Sequence, residues 1–323
     1  MPVLWGPASF LSREGRANAA SARATPMSRY PVQYHTLRSG RHGLILELWP
    51  NAGAGTMLFY PGTMLSPWQY GPLLAALREA GFAVAALHLT GHGLNPHSVG
   101  FTLDDLLRDG LETELWLHNA GLGPLAVCGH SQGGILTLAH AASSRRLTAA
   151  FPICGILPQQ SEAIALTLFR SLAARRRQLM AAINALARRM PRLPLPVPAY
   201  LSLRRISAGA RCIRVNRRKS RSTYPLAFLA SLFNARLSPR LHCPLYFFNA
   251  RDDALFTPTL AQSTFNLLRS PQKRMIWLPG GGHLAAMNPP TCRYLARTAA
   301  AACAGLGLPL RLESPDVPSA DSL

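Results

Sequence analysis

Acidic residues are scarce in this sequence. Its 323 residues include 14 Asp and Glu against 34 Lys and Arg, which gives a formal net charge of +20 at pH 7. So large an excess of positive charge favours anionic surroundings or an anionic partner. Few residues of this chain can therefore supply a carboxylate to a catalytic or binding site.

Other features are missing altogether. No uninterrupted apolar run reaches the roughly 18 residues of a membrane-spanning helix, and neither a dinucleotide fingerprint nor a P-loop is present. The six cysteines include no CxxC pair, and Cys128 and Cys154 lie in apolar, strand-like runs that are typical of buried free thiols. We therefore expect a reducing compartment, the cytoplasm.

The N-terminal segment, residues 1–33, is rich in Arg, Ser and Ala and almost free of acidic residues. This composition is typical of an organelle transit peptide. A disordered tail, or upstream sequence ahead of a start at Met27, would have the same composition. Organelle targeting therefore stays open.

Strand-like and helix-like segments alternate from Tyr34 onward. After a predicted hairpin, short apolar runs and amphipathic segments follow one another as far as Gly155, and the alternation resumes at 241. Such alternation predicts an α/β fold with a mostly parallel sheet flanked by helices. We expect the core to comprise 34–155 and 241–308, with an inserted helical cap at 156–240 and a C-terminal tail at 309–323.

One junction between a strand and a helix contains a serine. In "PLAVCGHSQGGILTLAHAA", residues 124–142, a continuous apolar run ends at Gly129 and helical spacing begins after Gly134. So tight a turn holds its central residue in a conformation that costs about 1–3 kcal/mol. The pattern G-x-S-x-G in this setting is the nucleophile elbow, which exposes a hydroxyl at the edge of a sheet. Ser131 is the predicted nucleophile.

A serine nucleophile needs a base and a carboxylate that orients the base. His283 follows the last predicted strand in "LPGGGHLAAMNPP" and is the candidate base. The carboxylates between Ser131 and His283 are Glu162, Asp252 and Asp253, and Glu162 belongs to the insertion. Both aspartates follow a strand at the carboxyl edge of the sheet, where open α/β sheets place their sites. Asp253 is favoured, with Asp252 as the alternative.

These pieces resemble the α/β-hydrolase family, in its lipase, esterase and lysophospholipase-like branch. The resemblance covers about 34–308 and lies in the order Ser131, Asp253, His283 and in the segments "YPGTM", "HLTGHGLN", "GHSQGG" and "ARDDALFTP". It implies the α/β-hydrolase fold, with no cofactor and no metal. It also implies that the backbone N–H groups of Gln132 and Thr63 form the oxyanion hole, with Met64 as the alternative to Thr63.

The sequence departs from the family pattern at two places. Tyr60 and Pro61 stand before Gly62 where the family has histidine, and His88 replaces the usual aspartate. We expect His88, together with His92 and His130, to have packing or hydrogen-bonding roles. A serine at the elbow argues against the dehalogenase and epoxide-hydrolase branches, which place an aspartate there.

The predicted cap contains most of the positive charge. Its residues include 17 Lys and Arg and one acidic residue, Glu162. The spacing of apolar residues predicts a helix over 161–190 with an apolar stripe and a cationic face, the pattern of an element that lies on an anionic membrane. Alternatively, the stripe packs on the core and the arginines solvate the outer face. Nucleic-acid binding through "RVNRRKSR", residues 214–221, is the alternative from another class.

Taken together, these features predict a serine hydrolase that cleaves carboxylic esters with an apolar acyl chain. The resemblance suggests a lysophospholipase-like or monoacylglycerol-lipase-like enzyme that works through an acyl-enzyme. The alternatives are acyl transfer to another acceptor and hydrolysis of an amide or peptide by the same three residues.

Overall fold

A large sheet forms the centre of the molecule. The computed structural model describes residues 30–40, 42–95, 100–166, 170–197, 201–202, 205–206 and 223–312. Within these residues, eight strands pair in the order β1-β2-β4-β3-β5-β6-β9-β10, and all neighbours are parallel except β1/β2 and β2/β4. The strands are β1 Gln33–Ser39, β2 His42–Trp49, β3 Thr56–Tyr60, β4 Ala83–Leu87, β5 Leu125–His130, β6 Leu147–Ile153, β9 Leu245–Ala250 and β10 Lys273–Leu278.

Helices cover both faces of this sheet. Those of the core are α1 Gly71–Glu79, α2 Leu103–Asn119, α3 Gln132–Ser143, α6 Pro258–Leu267 and α7 Pro289–Gly305. Successive side chains of a strand point to opposite faces, so Met57 and Phe59 pack in the apolar cluster with α1 and α7. Leu58 and Tyr60 pack in the cluster with α2. The predicted mostly parallel sheet flanked by helices is confirmed.

The segment between β6 and β9 contains shorter elements than the sequence predicted. It has 3₁₀ turns at Ser161–Leu166 and Arg170–Arg175, helix α4 at Arg176–Arg189, a small sheet of β7 Pro194–Pro196 with β8 Thr223–Pro225, and helix α5 Leu226–Asn234. The single helix expected over 161–190 is therefore wrong for its first half. Helix α5 was not predicted, because its nearly uniform apolar sequence has no polar face to reveal a helical period.

Helix α4 packs on the body of the protein with part of its apolar stripe. Met180, Ile183 and Ala187 are buried, whereas Leu186 and Met190 are 45% and 47% exposed. At the first turn, the Arg176 guanidinium donates hydrogen bonds to the carbonyls of Pro158, Gln159 and Gln160 at 2.5–3.0 Å. Arg176 thus holds α4 to the loop that follows β6, and its charge does not belong to the outer face.

The C-terminal end of the described chain is attached to the core. Near the C-terminus, the carbonyl of Pro309 accepts from the Gly55 N–H at 2.7 Å, and the Arg311 N–H donates to Gly81 at 2.9 Å. The C-terminal tail predicted from 309 therefore begins no earlier than 313. Residues 1–29 and 313–323, with the predicted tails and the start at Met27, lie outside the described residues.

Two predictions about composition can be compared with the described residues. None of the helices described is both long and apolar enough to cross a membrane. Five cysteines are free and buried, namely Cys128, Cys154, Cys243, Cys292 and Cys303. Burial raises the pKa of each of these thiols, so they are protonated at neutral pH.

Candidate active site

The site is built around the turn at Ser131. This residue lies between β5 and α3 with φ 56° and ψ −113°, a conformation that L-residues rarely adopt. The turn leaves no space for side chains on its flanks. A Cβ on Gly129 would lie 2.3 Å from the Gly133 carbonyl oxygen, and one on Gly133 would lie 2.1 Å from that of Tyr60. The glycines of the motif therefore let β5 and α3 pack closely while the serine projects from the edge of the sheet.

Ser131, His283 and Asp253 form a continuous chain of hydrogen bonds. The Ser131 hydroxyl lies 2.8 Å from His283 Nε2, and Nδ1 of the same ring donates to Asp253 Oδ2 at 2.9 Å. Burial opposes ionisation of Asp253, but the charge and hydrogen bond of His283, together with the N–H groups of Leu255 and Phe256, outweigh it and hold the carboxyl pKa below its usual value. An ionised carboxylate fixes the ring so that Nε2 can accept the serine proton.

The two neighbouring aspartates have separate partners. Asp253 is 2% exposed, and its Oδ1 accepts from the backbone N–H groups of Leu255 and Phe256 at 2.8 and 2.9 Å. Asp252 accepts instead from the N–H groups of Gly281 and Gly282, at 3.2 and 2.9 Å. The structure thus brings Asp253 to the histidine, while Asp252 secures the glycine loop that presents it.

A second buried histidine supports the first. His130 Nε2 donates to the backbone carbonyl of His283 at 2.6 Å, and its Nδ1 accepts from the Tyr70 hydroxyl at 2.7 Å. The Tyr70 oxygen in turn accepts from the Gly62 N–H at 3.0 Å. Burial, together with the nearby His283, lowers the pKa of His130 to about 3, so this ring is neutral. The network ties the His283 backbone to the loop after β3.

That loop contains the two candidates for the second oxyanion donor. Met64 has φ 67°, and its N–H donates to the hydroxyl of Tyr224 in β8 at 2.8 Å. The Tyr224 hydroxyl also contacts His92 Nε2, while His92 Nδ1 donates to the Thr90 carbonyl. Because the Met64 N–H is already used, Thr63 is the candidate that the geometry favours. Sequence reasoning missed Tyr224, and no sequence signal links a residue so distant to the loop.

The remaining buried histidines have structural partners. His88 Nε2 pairs with Glu47 at 2.8 Å and its Nδ1 accepts from the Leu94 N–H, while His140 lies between Glu114 and the Tyr60 hydroxyl. The hydrogen-bonding roles expected for His88, His92 and His130 match these contacts.

One cluster has the composition of a metal site. Ligand atoms of His130, Cys154 and His283 lie within 4.8 Å of one another. Both nitrogens of each histidine are engaged in the hydrogen bonds described above. Burial, followed by the charge and hydrogen bond of Asp253, raises the pKa of the Cys154 thiol and keeps it protonated. The cluster therefore has no free lone pair or thiolate of the kind that metal ions require.

Two cavities meet at Ser131. Among the described residues, the larger is bordered by Thr63, Ser131 and Gln132 and otherwise by apolar side chains, namely Ile135, Ile156, Pro158, Ala163, Leu201, Phe228, Leu232, Phe233, Leu255 and Phe256. The smaller is bordered by Ser131, His130, His283 and the loop after β3, with Leu201, Ile206 and Leu284. Residues of α5 and of the segment after β6 thus close the cleft over the sheet edge.

Solved structures of similar fold include enzymes that act on esters. A monoacylglycerol lipase from Paleococcus ferrophilus aligns with a TM-score of 0.62 at 15% identity, covering 85% of this chain and 99% of that one. A soluble variant of monoglyceride lipase from Saccharomyces cerevisiae gives 0.62 at 13%, covering 86% and 96%. A thermophilic esterase from Thermogutta terrifontis gives 0.56 at 19%, covering 85% and 99%. At these identities the likeness shows the fold.

A comparison with individual curated proteins found no match. A comparison with family profiles, in contrast, found a match over most of the chain. The profile described as "Alpha/beta hydrolase family" matches residues 57–292, a range that contains the turn at Ser131, both aspartates and His283. The resemblance inferred from the motifs is confirmed, and the chain belongs to the alpha/beta hydrolase family.

Proposed function

We propose that this protein is a serine hydrolase that cleaves carboxylic esters with an apolar acyl group. The observation that carries the proposal is the hydrogen-bonded chain Ser131–His283–Asp253 at the floor of an apolar cleft. The roles of all three residues, and of the oxyanion donors, are part of this proposal. The lipase and esterase activities named for the similar structures support esters as substrates.

The proposed reaction has two stages. As the Ser131 oxygen attacks the ester carbonyl carbon, His283 Nε2 takes the hydroxyl proton, and the carbonyl electrons move onto oxygen. The backbone N–H groups of Gln132 and Thr63 stabilise this oxyanion. When the intermediate collapses, His283 returns the proton to the leaving alcohol. Water, which gives a proton to His283 Nε2, then attacks the acyl carbonyl carbon of the acyl-enzyme. As the bond to the Ser131 oxygen breaks, the acid is released and His283 returns the proton to that oxygen.

The two cavities can hold the acyl group and the leaving alcohol of the ester separately. The leaving alcohol must lie near His283 Nε2, which borders only the smaller of the two cavities described. The acyl group then occupies the larger cavity, whose aliphatic and aromatic lining favours an apolar chain. Acyl transfer and amide hydrolysis use the same residues and stay as alternatives. The ratio of acid to transfer product, and the rates on matched amides, separate them from ester hydrolysis.

We also propose contact with an anionic membrane through the outer face of α4. The apolar stripe is divided, since Met180, Ile183 and Ala187 are buried while Leu186 and Met190 stay exposed beside basic side chains. The exposed arginines of this face are Arg175, Arg177, Arg188, Arg189 and Arg192. Apolar contact and charge can therefore act on one surface. The basic run of the nucleic-acid alternative, 214–221, lies outside the described residues.

A fluorophosphonate probe tests the nucleophile. We expect it to label Ser131, because an activated serine attacks phosphorus as it attacks a carbonyl carbon. Ser131→Ala should abolish labelling and lower kcat by about 10⁴–10⁶-fold. Peptide mapping by mass spectrometry locates the adduct, and undiminished labelling of the variant would refute the assignment.

The two aspartates provide a matched pair of variants. Asp253→Asn should lower kcat by about 10⁴-fold, because an amide leaves His283 in the wrong tautomer. Asp252→Asn keeps an acceptor for the glycine loop and should lose far less. Hydrolysis of a short, soluble nitrophenyl ester measures both, and a larger loss for Asp252→Asn would reverse the assignment.

Vesicle binding tests the membrane surface. The protein should partition more strongly onto vesicles with anionic lipid than onto zwitterionic ones, since each basic residue near such a bilayer contributes about 1 kcal/mol. Changing Arg175, Arg177, Arg188 and Arg189 to Glu should weaken this binding and leave hydrolysis of a soluble ester unchanged. Arg176 is kept because it holds α4 in place.

The control carries the same change in net charge at another surface. Arg269, Arg274, Arg293 and Arg297 are exposed on other elements, and their replacement by Glu should leave more of the vesicle binding intact. Raising salt from about 0.05 to 0.5 M should weaken binding by screening. Equal loss in the two quadruple variants would show that only the total charge matters and that α4 has no special part.

A further inference from the structure

The floor of the cleft contains a buried hydrogen-bond donor that has no partner. Gln132 follows Ser131 and is 2% exposed, and its Nε2 atom finds no acceptor among the residues that the structure describes. Buried polar groups are nearly always hydrogen-bonded, because leaving one unpaired forfeits the hydrogen bonds that water would supply. An unpaired amide beside a reactive serine therefore points to a ligand that satisfies it.

In the structure, the oxygen of this amide faces Thr63. The Thr63 hydroxyl donates to Gln132 Oε1 at 3.2 Å, so the carbonyl end of the amide faces the loop after β3. The NH₂ end, which can only donate, is left over. The side chains of Thr63 and Gln132 thus join the two residues whose backbone N–H groups form the proposed oxyanion hole, and the Nε2–H is left without a partner among the described residues.

The surroundings of this donor are apolar. Gln132 borders the larger cavity, where Thr63 and Ser131 are the other polar residues among the described lining and the rest are aliphatic or aromatic. The nucleophile Ser131 is also nearly buried, with 7% exposure, so the low exposure of Gln132 is similar to that of the reactive residue beside it. An acyl chain that extends from Ser131 into this cavity therefore lies against a lining that includes Gln132.

We infer that the Gln132 side chain recognises an acceptor oxygen on the acyl group of the substrate. The inference rests on the proposed ester hydrolysis and narrows its substrate class. The preferred acyl groups are apolar chains that carry an ether, keto or hydroxyl oxygen near the carbonyl, with the Nε2–H donating to that oxygen. A plain alkyl chain fills the same cavity but leaves the buried amide unpaired.

Isosteric esters test this recognition. The substrates are 4-nitrophenyl pentanoate, 4-nitrophenyl ethoxyacetate and 4-nitrophenyl 3-methoxypropanoate, in which an ether oxygen replaces one methylene at either of two positions. The quantity measured is the ratio of kcat/KM for each ether ester to that for pentanoate. Comparing this ratio between wild type and a variant cancels the different intrinsic reactivities of the esters.

Gln132→Met removes the amide, keeps the chain length and leaves the backbone N–H in place. For at least one ether ester the ratio should fall about 2- to 10-fold, the loss expected for one neutral hydrogen bond. Leu232→Met is the matched control, because it alters the apolar lining of the same cavity and leaves the Gln132 amide and its bond to Thr63 in place. It should change kcat/KM for all three esters to a similar degree and leave the ratios unchanged.

The outcomes separate this inference from the proposed function. If Gln132→Met slows all three esters equally, the amide acts on the carbonyl oxygen or through the loop, and recognition of the acyl oxygen is refuted. If the ratios do not change and the rates do not fall, the amide has no part in catalysis, and the inference fails while ester hydrolysis stands. A wild-type enzyme that cleaves none of the esters would refute the proposed function itself.

Discussion

The turn at Ser131 is the constraint on which the rest of the site depends. A serine at φ 56° and ψ −113° occupies a costly conformation, and the surrounding chain maintains it by close packing of β5 and α3 against β3. The same turn places the first N–H groups of α3 beside the hydroxyl. In the proposed reaction, the positive end of the α3 dipole therefore lies near the oxygen that becomes negative when Ser131 attacks the carbonyl.

Buried hydrogen bonds fix the residues that surround the turn. His283 is held by Asp253 through its ring and by His130 through its backbone, and His130 is held by Tyr70. Tyr224 in β8 then fixes the Met64 N–H on the facing loop. Since low dielectric strengthens satisfied networks and penalises unpaired groups, these contacts give the site one defined geometry. The segment between β6 and β9 thereby contributes to the geometry of the site as well as closing it.

The sequence was sufficient for the parts of the site that the sheet positions. Ser131, Asp253 and His283 each follow a strand, and the carboxyl ends of parallel strands meet at one edge, so their convergence could be predicted from order and spacing alone. The choice between Asp252 and Asp253, and between Thr63 and Met64, could not be derived from spacing. Each choice depends on which of two adjacent residues the local turn directs into the site. For Met64 it also depends on the hydrogen bond to Tyr224, a residue 160 positions away in the sequence.

The segment from 156 to 240 was the least predictable from the sequence. Apolar spacing alone extended a helix back to 161, whereas the α-helix begins at Arg176 and short 3₁₀ turns precede it. Arg176 shows the same limit, because an arginine that caps three backbone carbonyls cannot be told in sequence from its exposed neighbours Arg175 and Arg177. Tertiary contacts decide both cases.

A rapid-quench experiment with a nitrophenyl ester tests the central claim, covalent catalysis by Ser131, most directly. Acid quenching within the first turnover should trap one acyl group per enzyme on the peptide that contains Ser131, with a matching burst of nitrophenol. An acyl group on another residue, or hydrolysis of the ester that Ser131→Ala leaves unchanged, would contradict the account.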